Sequence, residues 1–438
     1  MVALAVPVAL SELGWMAQGV VDTIMVGRLG PAAIGAVALG NALCYTPSLF
    51  GVGLMLGLDT LVSQAFGRED HDECHRWLAQ AVYLACIAAA PLMIAIGLAS
   101  FFFSRFGITP EVAVPAAGYT ARLLWGTLPL LLYAAARRYL QGVHQVRVIT
   151  ATYVLANLVN WFLNWVLIYG KLGFPALGVN GSAISTVFAR ITMAVALMGF
   201  AWRYERKRGH PLFRHWAKPQ AARLNQLVRL GAPAASQILL EVGAWNLATF
   251  SAGYLTPVAL ATHQIVLNYA SVTYMVPLGI SAAAAVSVGH AIGAGDPARA
   301  RRAGWMALAL GVGFMLLAAI VLVVFPRPLI ELYTSDPRVL AVGPALLVIV
   351  AAFEIFDAIQ IVSTGSLRGL GETRAPMWAN LFGYWAFGLP LGFFLCFGLR
   401  WGIYGLWIGL TVSLIVIALA LLVRWRRDAK KQLLAIHR

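Results

Sequence analysis

The chain has 438 residues, 61% of them hydrophobic and only 11% charged, with a mean hydropathy of +0.79. Soluble domains carry about 25% charged residues, so composition excludes a water-soluble enzyme or binding module. The formal net charge of +15 would suit a nucleic-acid partner, but its distribution along the chain argues otherwise.

Apolar runs of about 20 residues, the length of a membrane-spanning helix, recur from end to end. They predict twelve spans, at 3–26, 32–60, 77–101, 113–136, 148–169, 181–202, 227–252, 257–286, 303–325, 338–364, 376–398 and 402–424. The first run is too long for a cleavable signal peptide and lacks a small-residue cleavage site. Because it starts almost at Met1, a short cytoplasmic lead is expected ahead of it. Of the 32 Lys and Arg, 24 fall in the even-numbered connections and the C-terminal tail, counted with their flanks. Six fall in the odd connections (Arg28, Arg105, Lys171, Arg327, Arg338, Arg400), and Arg122 and Arg190 lie inside spans. Such a bias places both termini and the 203–226 linker in the cytoplasm. The basic excess is therefore a topology signal, with RYERKRGH (203–210) suited to a lipid surface, and no nucleic acid is required. Cys44, Cys74, Cys86 and Cys396 show neither metal-ligand nor redox spacing.

A shift of 226 residues lays the chain on itself: Pro7 on Pro233, Gly27 on Gly253, Pro31 on Pro257, Gly53 on Gly279, Gly67 on Gly293, Asp70 on Asp296. A shift of 227 continues the match, with Gly142 on Gly369, Arg147 on Arg374 and Gly178 on Gly405. The expected fold is all-α and integral to the membrane, with twelve transmembrane helices in two six-helix lobes. Six is even, so the lobes form a parallel repeat with a pseudo-two-fold axis along the membrane normal. The divisions read 1–202 for the N-terminal lobe, 203–226 for the basic linker, 227–424 for the C-terminal lobe and 425–438 for a basic tail. Two such lobes suggest a central cavity and a rocking transporter. Pro47, Pro91, Pro129, Pro277 and Pro390 sit inside spans as candidate hinges.

A carboxylate at mid-membrane costs at least ~2.5–3.5 kcal/mol, so each one needs a reason. Glu12, Asp22, Glu241, Glu354 and Asp357 fall well inside spans, while Asp59, near the end of span 2, reads as solvated. With only Arg122 and Arg190 as intraspan bases, the surplus acids imply protons, a metal cation or a cationic substrate. Asn157, Asn160 and Asn164 share one helix face and are placed to hydrogen-bond Asp22; helix-to-helix glue is an equally good reading. Gln264, Asn268 and Ser271 form a second polar face, and Asp357, Gln360 and Thr364 a third, with Glu354 one turn before it. His263 reads equally as a packing residue or a proton carrier. Trp15, Tyr45, Trp245, Tyr269, Tyr274 and Phe353 are the aromatics suited to a flat cation, interfacial packing being the alternative. Under the repeat Asp22 falls on Ala248, Glu241 on Trp15 and Asp357 on Leu130, so the scaffold is duplicated and the acids are not.

VDTIMVGRLG (21–30), LEVGAW (240–245), ATHQIVLNYAS (261–271), VGHAIGAGD (288–296) and FDAIQIVSTGSLRGLGETR (356–374) resemble the multidrug and toxic compound extrusion (MATE) family, NorM-like bacterial branch, over essentially the whole chain. The resemblance implies a secondary antiporter of the bacterial inner membrane, acting as a monomer, that exports cationic amphipathic drugs or toxins in exchange for Na+ or H+. It implies no cofactor and no catalytic residue. By position Asp22 matches the N-lobe acid, with Asn160 and Asn164 in support, and Glu241 and Asp357 match the C-lobe cation-coupling acids, where Na+ has a potential site. Asn164 stands where some members carry a second acid. Phe353 stands where some sodium-coupled members carry a tyrosine, and Glu354 is an addition. Asn268 and Gln360 are further oxygen donors, and Tyr45, Tyr274 and Phe353 are the expected substrate-cavity residues.

Two alternatives stand beside this reading. A lipid or lipid-linked oligosaccharide flippase of the same superfamily would want Arg and Lys in its cavity, and only Arg122 and Arg190 are available. A lipid-modifying membrane enzyme would need a reactive cluster at a membrane edge, for which HDECH (71–75) is the one candidate.

Overall fold

The computed structural model describes residues 2–101, 109–209 and 218–436. Arg105 and the 210–217 part of the linker lie outside the described residues. Every predicted span is helical. In chain order these are α1 (Val2–Gly27), α2 (Pro31–Leu54), α3 (Gly57–Gly67), α4 (His71–Ser100), α5 (Pro110–Leu123), α6 (Thr127–Gly142), α7 (Arg147–Tyr169) and α8 (Val179–Lys207). There follow α9 (Ala221–Gly253), α10 (Pro257–Gly293), α11 (Pro297–Val324), α12 (Pro326–Glu331), α13 (Pro337–Gly369), α14 (Arg374–Asn380), α15 (Leu389–Phe393) and α16 (Gly402–Ile436). No strand occurs among the described residues, and ten of the helical stretches are long and apolar enough to cross a membrane. Gln237, Glu241 and Asn246 interrupt the apolar run of α9, which is not among those ten.

Breaks follow proline chemistry. Pro129 supplies no amide proton to Trp125 and its ring crowds that carbonyl, and a 3-10 turn at Leu124–Gly126 divides α5 from α6 there. Pro390 follows a π-helical stretch, Leu381–Gly388, whose loosened turn is held by Ser413 Oγ donating to the Gly383 carbonyl at 2.6 Å. Helix starts repeat as the duplicated sequence requires. Asp70 caps α4 by accepting from Glu73 N at 2.9 Å, and Asp296 caps α11 by accepting from Arg299 N at 2.8 Å.

Two compact units emerge, Leu10–Ala235 and Met1–Ala9 with Ser236–Arg438. Neither coincides with a sequence repeat, because the start of α1 belongs to the second unit and the start of α9 to the first. Close glycine contacts mark both exchanges. A methyl group on Gly53 would stand 2.6 Å from Ala235 Cα, and one on Gly279, its repeat mate, 2.8 Å from Ala9 N. In the second unit α13 packs against α10, α11 and α16. It crosses α10 at small residues, a methyl on Gly365 standing 2.2 Å from the Ser281 carbonyl oxygen.

The HDECH stretch is taken up by packing in the first unit. Glu73 makes a two-pronged pair with Arg223 at 2.6 and 3.0 Å, whose guanidinium lies over Trp77. His75 Nε2 lies 3.2 Å from Glu205, which also accepts from Tyr139 at 2.8 Å. Buried Gln80 donates to Lys218 O and accepts from Gln220 N, both at 2.9 Å, which seats the described end of the linker on α4.

Candidate functional site

In the first unit α1, α7 and α8 converge on Asp22, which is 4% exposed. Asn164 Nδ2 donates to its Oδ1 at 2.6 Å and Thr186 Oγ1 to its Oδ2 at 3.1 Å, while Asn164 also donates to Asn160 Oδ1 at 3.1 Å. Asn157 turns elsewhere and donates to the Gly14 carbonyl at 3.1 Å. Arg190, one turn after Thr186, makes no ion pair with Asp22 among the described residues. Arg122 bonds to Gly118 O and Asn180 Oδ1.

The same unit corrects two sequence expectations, both because α6 runs to Gly142 and past the predicted end of its span. Arg137 is a buried base that ion-pairs with Glu12. Its Nη1 lies 3.4 Å from Tyr153 Oη, which accepts from Tyr133 at 2.5 Å. Asp59 is not solvated: it is 1% exposed, and Arg138 stands 3.4 Å from its Oδ2.

In the second unit α9 and α13 bring Glu241 beside Gln360 and give Asp357 both Glu241 and Glu354 as charged neighbours. Gln360 donates to Asn380 Oδ1 at 3.1 Å. Glu354 is buried, with Oε1 2.7 Å from Thr273 Oγ1 and Oε2 without a protein partner. Tyr384, fully buried, adds an unpartnered phenol near Glu241 and Asp357. No ion pair joins Asp22, Glu241, Glu354 or Asp357 to a base among the described residues. The groups around these acids are amides and hydroxyls, whose oxygens, together with the carboxylates, are hard ligands of the kind a proton or a monovalent cation takes.

The MatE family model matches residues 7–166 and 233–394, one block in each repeat. The chain belongs to the MATE family. A protein of Mesorhizobium japonicum described as a probable multidrug resistance protein NorM is 36% identical over 434 residues, covering 97% of this chain and 93% of the relative. The multidrug resistance protein NorM of Burkholderia vietnamiensis is 36% identical over 437 residues, covering 98% and 93%. Among solved structures, MATE in the bent conformation matches with a TM-score of 0.89 over 98% of this chain and 95% of that one, at 18% identity, a likeness of fold. As a MATE protein the chain is an integral-membrane transporter and not an enzyme.

The other polar and aromatic candidates of this MATE chain are placed as follows. Gln264 and Asn268 are exposed on α10; Gln264 helps line a cavity of about 380 Å³ with Asn246, Thr249 and Phe250. Phe353 is buried in T-shaped contact with Trp245 and Trp407, with ring centroids at 5.3 and 5.9 Å. Tyr45 is 46% exposed and Tyr274 half-buried. His263 Nδ1 accepts from Trp407 Nε1 at 3.1 Å, so its proton sits on Nε2, 2.9 Å from Thr249 Oγ1. Both ring nitrogens have protein partners. Thr186, Thr273, Asn380 and Tyr384 were missed by the sequence reading. Thr186 and Thr273 meet acids more than 80 residues away, Asn380 meets Gln360 on the neighbouring helix and Tyr384 lies in a π-helical stretch, so helix rotation sets partners that local sequence does not show.

Proposed function

We propose that this MATE transporter is a multidrug efflux antiporter that exports cationic, amphipathic compounds in exchange for H+ or Na+ by alternating access. The supporting observation is the set of buried carboxylates with no ion-pair partner among the described residues, a charge pattern that asks for a mobile cation. Asp22 in one unit, and Glu241 with Asp357 in the other, carry the coupling ion, and Glu354 supports the second group. The names of the NorM relatives agree with drug export. The protein sits in the bacterial inner membrane as a monomer with both termini in the cytoplasm. Binding of the external ion neutralises the carboxylates and releases the cationic compound; cytoplasmic release of the ion restores them.

Proteoliposomes offered a fluorescent cation under an imposed sodium or pH gradient test this directly. Wild type is expected to accumulate the dye under one of the two. Sodium-driven transport lost in Asp357→Asn assigns the ion to α13, and pH-driven transport lost in Asp22→Asn assigns it to α1. No accumulation under either gradient refutes antiport.

A further inference from the structure

One face of α7 carries Tyr153, Asn157, Asn160 and Asn164 at intervals of four, three and four residues, so their side chains stand about 4.5–6 Å apart along the axis. That face looks onto α1. At one end Asn164 holds Asp22. At the other, Tyr153 meets Arg137, Tyr133 and Trp15 beside Glu12. Glu12 and Asp22 are ten residues apart on α1, about 15 Å.

Between them lie four amide atoms that are buried and have no protein partner: Gln18 Nε2 on α1, and Asn157 Oδ1, Asn160 Nδ2 and Asn164 Oδ1 on α7. A buried amide group left without a partner keeps its full desolvation penalty. The four lie along one seam and include both donors and acceptors, as a file of water requires. Asn160 and Asn164 close one rung by their own hydrogen bond, and water bridging the other rungs would supply the remaining atoms with partners.

We propose that the α1–α7 seam holds a file of water that carries a proton between Asp22 and Glu12. In the inward direction Asp22 loses its O–H proton and becomes a carboxylate, each water passes one proton on, and Glu12 gains it. Arg137 keeps its own proton throughout and holds the Glu12 carboxyl in place. The charged and titratable groups facing Glu12 are Arg137, Tyr45, Tyr133 and Tyr153, and Arg190 is the base nearest Asp22. Asn160 pairs with Asn164, and Asn157 and Asn164 reach across to Gly14 and Asp22, but helix-to-helix glue gives no account of the four amide atoms left over.

The inference rests on proton antiport, so the test separates the two. Full-length protein in proteoliposomes is given labelled tetraphenylphosphonium in two modes: uptake driven by a pH gradient, and counterflow without a gradient, which moves the cation but no net protons. Gln18→Leu and the paired substitution Glu12→Gln with Arg137→Met, which leaves no buried charge alone, are expected to slow pH-driven uptake about tenfold or more and to remove its slowing in D2O. Counterflow is expected to stay within about twofold of wild type. Parallel loss in both modes overturns the proposal in favour of packing, and unchanged pH-driven uptake overturns it outright. Wild type driven by sodium and not by pH overturns the proton file but keeps antiport. Wild type that performs counterflow but responds to neither gradient refutes antiport as well.

Discussion

Replacing Arg137 by methionine removes the base that faces Glu12 and leaves a carboxylate in a side chain only 16% exposed. Breaking one side of a buried ion pair costs about 3–5 kcal/mol, because the remaining charge keeps its desolvation penalty without its partner. Glu12→Met is expected to cost the same from the other side, since the Arg137 side chain is 8% exposed. The pair itself is incompletely satisfied: Arg137 Nε has no protein partner and the Tyr153 contact is long, at 3.4 Å. Replacing both residues by methionine should therefore be neutral or stabilise by about 1–4 kcal/mol. The coupling in a double-mutant cycle then comes to several kcal/mol. Equilibrium unfolding by SDS in mixed micelles reads these differences directly. Additive single and double effects would refute the ion pair, and a double variant as unstable as either single would refute the claim that its desolvation is poorly repaid.

Two further outcomes follow from packing. Trp407→Phe strips His263 Nδ1 of its indole donor in a fully buried site and is expected to cost at least about 1–3 kcal/mol in the same assay; a change under 0.5 kcal/mol would show that the bond is not formed. Gly304→Ala puts a methyl 2.0 Å from the buried Trp425 ring and should destabilise by about 1–3 kcal/mol, whereas Gly313→Ala, in open space on the same helix, should gain up to about 1 kcal/mol. Shifts of equal sign at the two positions would contradict the packing of α11 on α16.

The twelve spans were legible because membrane insertion writes itself into long apolar runs, and the duplication because glycines and helix caps recur at fixed spacing. Asp22 with its asparagines was legible too, since i, i+4 spacing on α7 sets Asn160 and Asn164 on one face. Asn157 shows the limit of that reading. It shares the stripe, yet a helix face sweeps past more than one neighbour, and Asn157 meets the Gly14 carbonyl instead of Asp22. The partners of Glu12 and Asp59 escaped because hydropathy dips at Arg137 and Arg138, so the span looked finished one and a half turns before α6 ends at Gly142. Thr273 and Tyr384 are ordinary residues of apolar helices, and nothing local marks them as neighbours of Glu354, Glu241 and Asp357.

The exchanged helix starts have a consequence for biosynthesis. When the sixth span leaves the ribosome, the first unit is still unfinished: Leu227, Leu230 and Ala232 complete its apolar cluster, and Gly231 seats against the Leu54 carbonyl. The start of α1, up to Ala9, meanwhile waits, Ala5 included, for partners made in the second half of the chain. Synthesis can thus pause at the linker without either repeat closing on itself. Severed there, each half would emerge with an open seam that only the other half fills, so separately expressed repeats should be degraded alone and stable when made together.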